Sequence, residues 1–477
     1  MVDRGAPTDA DPVERFLAER FRSVLAETPW LLVGNTDAIA AGMGGVLREM
    51  GASDVMAMGI GRVEDVDSAV PLISLGAETS GSMMELIRWE QRLVDDLPDW
   101  AVERLDEWDP ERRARVMTPF TIHAGLIGGR STWGSRPREH EALEDKLVAA
   151  EIWDAAGVER APERIVALDD GPGLLAAHRE LAGPQGTVWA GDDHPGWHGG
   201  ASSVRWAADE TTVVEIAADL SAAHRRVRIM PFLEGVPCSI HGLVIGAEVA
   251  VLRPCEMLVL LDRARGRFRY SAASTFWDPT PRVREQMRAA ARAVGALLRD
   301  RHGYRGAFTI DGIATAGGFL PTELNARFGG ALPMIGRARR SFPIFVVNCA
   351  VVAGALDHLD AAAYEAWMVS GADADRHGGA RFFLDDRPGT EPEPEPISFV
   401  VGGDGAPGFA TSDQDDEAII ATAQYVSSSA SGVVDVSFGS GMPVGASSAP
   451  VAVQIAALLD ERWGLGLGRL EPAMPAT

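Results

Sequence analysis

Lysine is almost absent from this sequence: Lys146 is the only one among 44 basic residues, and all the others are arginine. Where arginine fills the ordinary surface positions, a solitary lysine stands out, because its ammonium is a compact point charge that reaches a single phosphate oxygen. The competing reading is a chance survivor. Cysteine is nearly as scarce. Cys238, Cys255 and Cys349 are odd in number and far apart, which excludes a disulfide framework and a structural zinc site. Long apolar runs are missing too. The longest, "FPIFVVNCAVVAGAL" (342–356), is too short to cross a bilayer and contains Asn348, so it predicts a buried helix. The opening residues hold no apolar core of the signal-peptide kind, and the cytoplasm is the expected compartment. Positive charge is in deficit, with 68 acidic residues against 44 basic ones and a net charge of -24. That balance disfavours a general nucleic-acid binder or a partner of anionic membranes, both of which require a basic face.

What is present is enough for several domains. At 477 residues, 46% hydrophobic and 23% charged, the chain reads as a globular protein of two to four domains. "WLLVGN" (30–35) followed by "TDAIAAGMGGVLREMG" predicts a strand, a turn and a helix, the start of an α/β unit. Its glycines fit neither the dinucleotide fingerprint nor the P-loop, so they are assigned to packing and turns. Residues 139–158 have helical periodicity and carry Lys146. "GTVWAGDDHPGWHGGASSVRWA" (186–207) predicts a hairpin whose glycine-rich loop could bring backbone N–H groups to a phosphate, or simply turn. Antiparallel strands are expected over 226–258, and a long helix over 283–303 that ends at Gly303. The Pro- and Glu-rich 385–396 predicts a stiff linker before a small α+β tail.

The chemistry concentrates in "TIDGIATAGGFLPTELNAR", which predicts a hairpin turning near Gly317. A turn centred there sets Asp311 against Glu323 across the two strands, and like charges so placed repel unless a cation lies between them. Glu323, Asn325 and Arg327, spaced by two, would share one face of a strand. Hard oxygen ligands that leave places for water and phosphate suit Mg²⁺. The bland alternative is a solvated hairpin face, and the apolar flanks weigh against it.

The order of Lys146, a glycine-rich hairpin, "PFLEG" (231–235), Asp311 and "ELNAR" (323–327) resembles the ATP-grasp superfamily of carboxylate-amine ligases over roughly residues 120–340. With its front domain and small tail, the whole most resembles the pheganomycin-type peptide ligases of actinobacteria. The resemblance implies an α/β and α+β multidomain ATP-grasp fold. Its expected parts are an N-terminal tail and helix (1–26), a pre-ATP-grasp α/β domain (27–139), a central flap subdomain (140–230) and a catalytic subdomain (231–384). A linker (385–396) and a small α+β module (397–477) complete the chain. It also implies ATP and Mg²⁺ as cofactors, with Asp311, Glu323 and Asn325 as metal ligands and Arg327 on the transferred phosphoryl group or acyl-phosphate. Lys146 would hold nucleotide phosphate. Gly196, Gly199 and Gly200 would form the flap, and Phe232, Leu233 and Glu234 would border adenine and ribose. Expected partners are a small-molecule carboxylate and an amino acid or peptide amine, with no nucleic acid or membrane; a homodimer is left open.

Two positions depart from the family pattern. Ala190 stands where a second lysine is common, with Arg205 and Arg228 as candidate substitutes, and Thr309 stands where a basic residue often precedes the metal-binding aspartate, with Arg305 nearby. Arg253, alongside Arg327, is a candidate donor to the tetrahedral oxyanion; the alternative is a strand-end ion pair with Glu256. Arg130, Trp133 and Arg136 could clamp a substrate carboxylate or form an ordinary loop. His194 and His198 lack metal spacing. The function expected is ATP-dependent amide or peptide bond formation through an acyl-phosphate, in natural-product biosynthesis by the narrower resemblance; a nucleotide-binding regulatory protein with little turnover is the alternative.

Overall fold

A computed structural model describes residues 11–473 except 27, 61–68, 77–88, 93, 192–202, 385–387, 389–391, 393–394, 404, 411–414 and 428–431. Helix α1 (Pro12–Leu25) begins at Asp11, whose side chain accepts from the Val13 N–H. Every fourth residue of it, Val13, Leu17, Phe21 and Leu25, is buried. The first sheet is parallel: β1 (Trp30–Gly34), β2 (Val55–Gly59), β3 (Leu72–Ser74) and β4 (Arg115–Met117) run in the order β3-β2-β1-β4. Helix α2 (Asp37–Glu49) follows β1 directly, capped by Thr36. A Cβ on Gly34 would lie 2.8 Å from the Ala40 nitrogen, so that glycine is there for close packing of strand on helix, as the sequence indicated. Below the sheet runs α3 (Asp99–Trp108), and the short strands β5 (Leu126–Ile127) and β6 (Arg130–Ser131) pair with each other.

Glu90 lies at this end of the molecule, 1% exposed and accepting from Asn35 Nδ2 at 2.8 Å. Burial pushes its pKa from 4.5 up to about 7. The folded state therefore binds this proton more tightly than the unfolded chain. The resulting contribution to stability is full below pH 4.5 and is lost as pH rises toward 7. Glu90→Gln should be more stable than the parent to urea at pH 8 and should match it near pH 4.5. Urea midpoints that differ by the same amount at both pH values would refute this.

The second sheet has eleven strands and is built of antiparallel pairs. Before it, the segment expected as one helix over 139–158 is two pieces: a 3₁₀ turn at Arg138–Glu144 and α4 (Ala149–Ala156), with Lys146 in the break between them. Asp145 causes the break: its backbone is extended and its side chain accepts from the Leu147 N–H at 2.8 Å, which ends the 3₁₀ turn. The strands are β7 (Arg164–Ala167), β8 (Thr187–Gly191), β9 (Val204–Ala207), β10 (Arg226–Pro231), β11 (Gly235–Ile245), β12 (Glu248–Val251), β13 (Cys255–Asp262), β14 (Arg267–Ser274), β15 (Gly306–Thr315) and β16 (Gly318–Asn325). Nine of them run in the order β16-β15-β11-β13-β14-β9-β8-β10-β7; β12 pairs with β11 off this path, and the eleventh strand among the described residues, at 470–472, pairs with β13. Helices α5 (Gly171–Leu181) and α6 (Val213–Ser221) pack on the β8–β10 end. The long α7 (Pro281–His302) is capped by Thr280 and stopped by Gly303 at φ 59°. It lays Val283, Met287, Ala291, Val294 and Leu298 beneath β11 and β15. The apolar run forms the buried α8 (Ile344–Val352), followed by α9 (Ala361–Ala374); Asn348 is tolerated there because its Oδ1 accepts the Ala307 N–H at 2.7 Å.

The tail is not the separate module the sequence suggested. Its five-stranded sheet, β17 (Gly379–Phe383), β18 (Ile397–Val401), β19 (Pro407–Phe409), β20 (Ile419–Ser427) and β21 (Gly432–Phe438), takes β17 from before the Pro-rich segment. After α10 (Ala449–Trp463), β22 (Leu470–Pro472) returns to pair with β13. The core of the tail also includes Leu258, Leu260 and Phe276 from the second sheet. A chain cut at residue 390 through an engineered protease site should therefore keep both pieces together in gel filtration without denaturant. Separation of the pieces would mean that β17–β21 and β13–β22 pairing is weak. Among the described residues no helix is long and apolar enough to cross a membrane, and the three cysteines are buried and free.

Candidate functional site

The hairpin β15–β16 turns one position earlier than Gly317-centred geometry requires. Thr315 pairs with Gly318, leaving Ala316 and Gly317 as a two-residue loop. A bulge restores the alignment: Asp311 pairs with Glu323 and Gly312 with Pro321, so Thr322 is the extra residue. Pro321 is accommodated because β16 is a sheet edge, where a missing N–H costs no ladder bond. The two carboxylates thus oppose each other as the sequence indicated, by a different route.

Register places a polar row across four strands. Glu323, Asp311, Ser239 and Cys255 are successive partners, and Asn325, Thr309 and His241 form a second row on the same face. Ser239 Oγ donates to Asp311 Oδ1 at 2.5 Å, and Asn325 Nδ2 donates to Asp311 Oδ2 at 2.9 Å. Burial, and then the charge of Glu323, push the Asp311 pKa up to about 7. Thr309 is 4% exposed, and a Cβ on Gly329 would lie 2.4 Å from its Oγ1, so no long basic side chain fits at that position.

Arg327 is not part of the strand. β16 ends at Asn325, and the chain folds back so that the Arg327 N–H donates to the Asn325 carbonyl. Its side chain still returns to the cluster, with Nη2 donating to Asn325 Oδ1 at 2.6 Å and Nε to Glu144 Oε2 at 3.1 Å. Arg136 takes the other oxygen of the same Glu144. Lys146 Nζ lies 3.3 Å from Glu323 Oε1, which joins the solitary lysine to the hairpin. Ala190 pairs with Arg228, whose Nη1 donates to the Lys146 carbonyl at 3.1 Å. Arg205 pairs with Trp189, one residue out of step and so on the opposite face, and bonds Asp219 at 2.5 Å. Of the two substitutes considered for the missing lysine, Arg228 is the one on the Lys146 side.

Other expected residues are placed elsewhere. Arg253 is 0% exposed, and its guanidinium is taken up by Asp278 at 2.5 Å, Asp373 at 2.8 Å and the carbonyls of Pro254 and Trp277. So enclosed a group offers nothing to an oxyanion. The structural alternative fits it better, with partners other than Glu256, which accepts from Ser447 Oγ and the Ser448 N–H. Arg130 is likewise buried against Asp109 at 2.9 Å and the Leu105 carbonyl at 2.6 Å, so it clamps the first domain and is no substrate contact. The Phe232 N–H donates to the Gly186 carbonyl, and its ring stacks at 6.3 Å on Phe268, so that backbone donor is already engaged. Leu233 is half-buried and Glu234 exposed beside it. Gly196, Gly199 and Gly200, with His194 and His198, lie outside the described residues.

No protein-family model and no curated protein matches the chain. Solved structures do match in shape. The biotin carboxylase domain of the Hydrogenobacter thermophilus 2-oxoglutarate carboxylase, solved with MgADP, ADP and bicarbonate, superposes with a TM-score of 0.51 at 16% identity, over 91% of this chain and 90% of that one. The Campylobacter jejuni biotin carboxylase, solved with a β,γ-ATP ligand, gives 0.51 at 14% identity over 87% of each chain. Rhizobium etli pyruvate carboxylase gives 0.52 at 14% identity, over 88% of this chain and 36% of that one.

The chain has the ATP-grasp fold.

Within this ATP-grasp framework three residues that the sequence did not single out belong to the site. Ser239 and Glu144 hold Asp311 and Arg327 in place; each becomes visible only when register and the 3₁₀ turn are known. Tyr270 on β14 is 39% exposed; burial of its hydroxyl and then the Asp311 carboxylate push its phenol pKa up, and the Arg327 charge acts on it in the opposite direction. The donor set suits a small divalent cation: two opposed carboxylates, with the charge of Glu323 raising the pKa of Asp311, and a carboxamide beside them. Asn325 presently turns its oxygen to Arg327 and its nitrogen to Asp311, so ligation by Oδ1 requires its amide to turn over.

Proposed function

We propose that this protein is an ATP- and Mg²⁺-dependent carboxylate–amine ligase that forms an amide or peptide bond through an acyl-phosphate. The observation that carries the reading is the Asp311–Glu323 pair, joined to Asn325, Arg327 and Lys146 on an ATP-grasp sheet. A carboxylate resists amines because oxide would have to leave; phosphorylation by ATP supplies a leaving group. Asp311, Glu323 and Asn325 would hold the Mg²⁺, which would supply neutralisation of phosphate charge. Lys146 binds a phosphate oxygen, and Arg327 holds the transferred phosphoryl group or the acyl-phosphate. Arg228 stands in for the second lysine at Ala190. Peptide ligation in natural-product biosynthesis rests on the resemblance to the pheganomycin-type ligases. The bicarbonate bound to the matched Hydrogenobacter thermophilus domain suggests an alternative phosphoryl acceptor, tested by adding bicarbonate alone to the same ADP assay.

The test is Mg²⁺-dependent ADP release against pooled carboxylates with hydroxylamine as surrogate amine, with Glu323→Ala as the blank. ADP and hydroxamate in equal amounts are expected. ADP without hydroxamate from any pool would overturn the acyl-phosphate reading, and ATP binding without ADP would favour a regulatory protein, a reading that Ala190 keeps alive.

A further inference from the structure

On the edge of β13 that faces away from β14, two strands take turns. β11 pairs there at Cys238↔Glu256 and Ser239↔Cys255; where it has diverged, β22 takes its place, with Leu260↔Pro472, Leu261↔Glu471 and Asp262↔Leu470. The tail therefore supports β13 up to its turn into β14, at 263–266. Asp262 shapes that turn: its Oδ1 accepts from the Arg265 N–H at 3.2 Å, and Gly266 closes it at φ 59°. What rests on the turn is β9. Among the described residues β9 and β14 share the single pair Arg205↔Arg267, beside which the Trp206 N–H donates to the Gly266 carbonyl at 2.9 Å. Asp219 of α6 braces this join, 2.5 Å from Arg205 and 3.7 Å from Arg267.

Trp206 pairs with Val188, and so shares the face of β8–β10 that holds Ala190 and Arg228. Its ring is half-buried and meets Phe232 edge-on at 6.3 Å, and its Nε1 donates to the Gln185 carbonyl at 2.6 Å. Over the same ring lies the Arg263 guanidinium, 4.9 Å from the centre, within the range of cation–π attraction. Arg263 Nε in turn donates to Glu471 Oε2, so a carboxylate of the tail aims the cation at the indole. With side chains 44% and 29% exposed, Arg263 and Glu471 add little to stability by their charge alone. Their pairing matters for where it holds the guanidinium.

We propose, resting on the nucleotide site of the ligase reading above, that Arg263 is a positioning residue for the nucleotide and that the tail acts on nucleotide affinity through it. Glu471 holds the guanidinium over Trp206. The cation fixes the indole against Phe232, and the indole, with the Gly266 carbonyl behind it, holds β9 where the Arg228 face meets the nucleotide. The strand β22 therefore has a use beyond completing the core of the tail: it sets the turn on which the nucleotide-binding strands rest.

Calorimetry of Mg-ADP with the full chain tests this. Arg263→Ala should weaken binding about twofold to fivefold, the range for a cation–π contact at an exposed site, while its thermal melt stays near the parent's. Arg263→Lys should recover most of the loss, since an ammonium over the indole supplies the same attraction. Glu471→Gln should weaken binding less, and should add nothing in the Arg263→Ala background, because Glu471 acts only through that guanidinium. Likewise, Arg263→Ala should add nothing in a Trp206→Leu background. Parent-like affinity for Arg263→Ala, an additive effect of Glu471→Gln, a loss that survives alongside Trp206→Leu, or a melt that falls in step with affinity would each overturn the assignment. A parent chain that does not bind Mg-ADP sinks the ligase reading and this inference with it. Binding that Lys146→Ala weakens and Arg263→Ala leaves alone keeps the ligase reading and sinks the inference by itself.

Discussion

Glu323→Ala is expected to reduce Mg²⁺-dependent ADP release by two orders of magnitude or more while leaving the fold intact. Even an outer-shell partner of a metal typically contributes roughly tenfold to a hundredfold to affinity or activity, and a direct ligand contributes more. The fold should survive because the losses are small. Glu323 lies at the end of an edge strand with its side chain 26% exposed, and its ion pair with Lys146 at 3.3 Å is partly screened. Removing it also relieves Asp311 of the charge that helps raise its pKa. Steady-state ADP release and a thermal melt on the same preparation check both halves. Turnover within a few-fold of the parent would remove the metal assignment; a melt lowered by many degrees would mean that the pair is structural.

Gly134→Ala should be the most damaging single-methyl change in the seam between the first domain and the catalytic sheet. Gly134 has φ 74°, where an L side chain is strained, and its new Cβ would lie 2.1 Å from the Cys349 carbonyl oxygen and 2.4 Å from the Cys349 Cα. Both neighbours are backbone atoms of the buried helix α8 and have nowhere to move. A loss of about 3–5 kcal/mol, or failure to fold, is expected from overpacking added to backbone strain. Gly42→Ala in the middle of α2 is the contrast. Nothing lies within 4 Å of its Cβ, and alanine should raise stability by about 0.5–1 kcal/mol through helix propensity. Urea unfolding of both variants measures the difference. Similar midpoints would mean that the seam is loose.

Legibility in the sequence followed distance along the chain. Hairpin β15–β16, the helix ending at Gly303 and the strand–turn–helix at 30–49 were readable because two-residue alternation, capping residues and helical periodicity are local signals. Lys146 stood out by composition, although the helix assigned to it was wrong because Asp145 satisfies a backbone N–H with its own side chain. Arg253 looked available beside Glu256, yet its partners Asp278 and Asp373 come from 25 and 120 residues further on, too far for any spacing rule.

By itself the sequence determined which chemistry is concentrated where: two carboxylates, a carboxamide and an arginine in one hairpin, on an acidic chain with one lysine. Only the tertiary structure decided what surrounds them. It closed Ser239 onto Asp311 across β11, joined Arg136 and Arg327 through one Glu144, turned Arg228 rather than Arg205 toward Lys146, and stitched the tail into the second sheet through β22. The reason is physical. Alternation fixes the face on which a side chain lies within its own strand, whereas its partner is chosen by the register between distant strands and by what must be buried to bring them together.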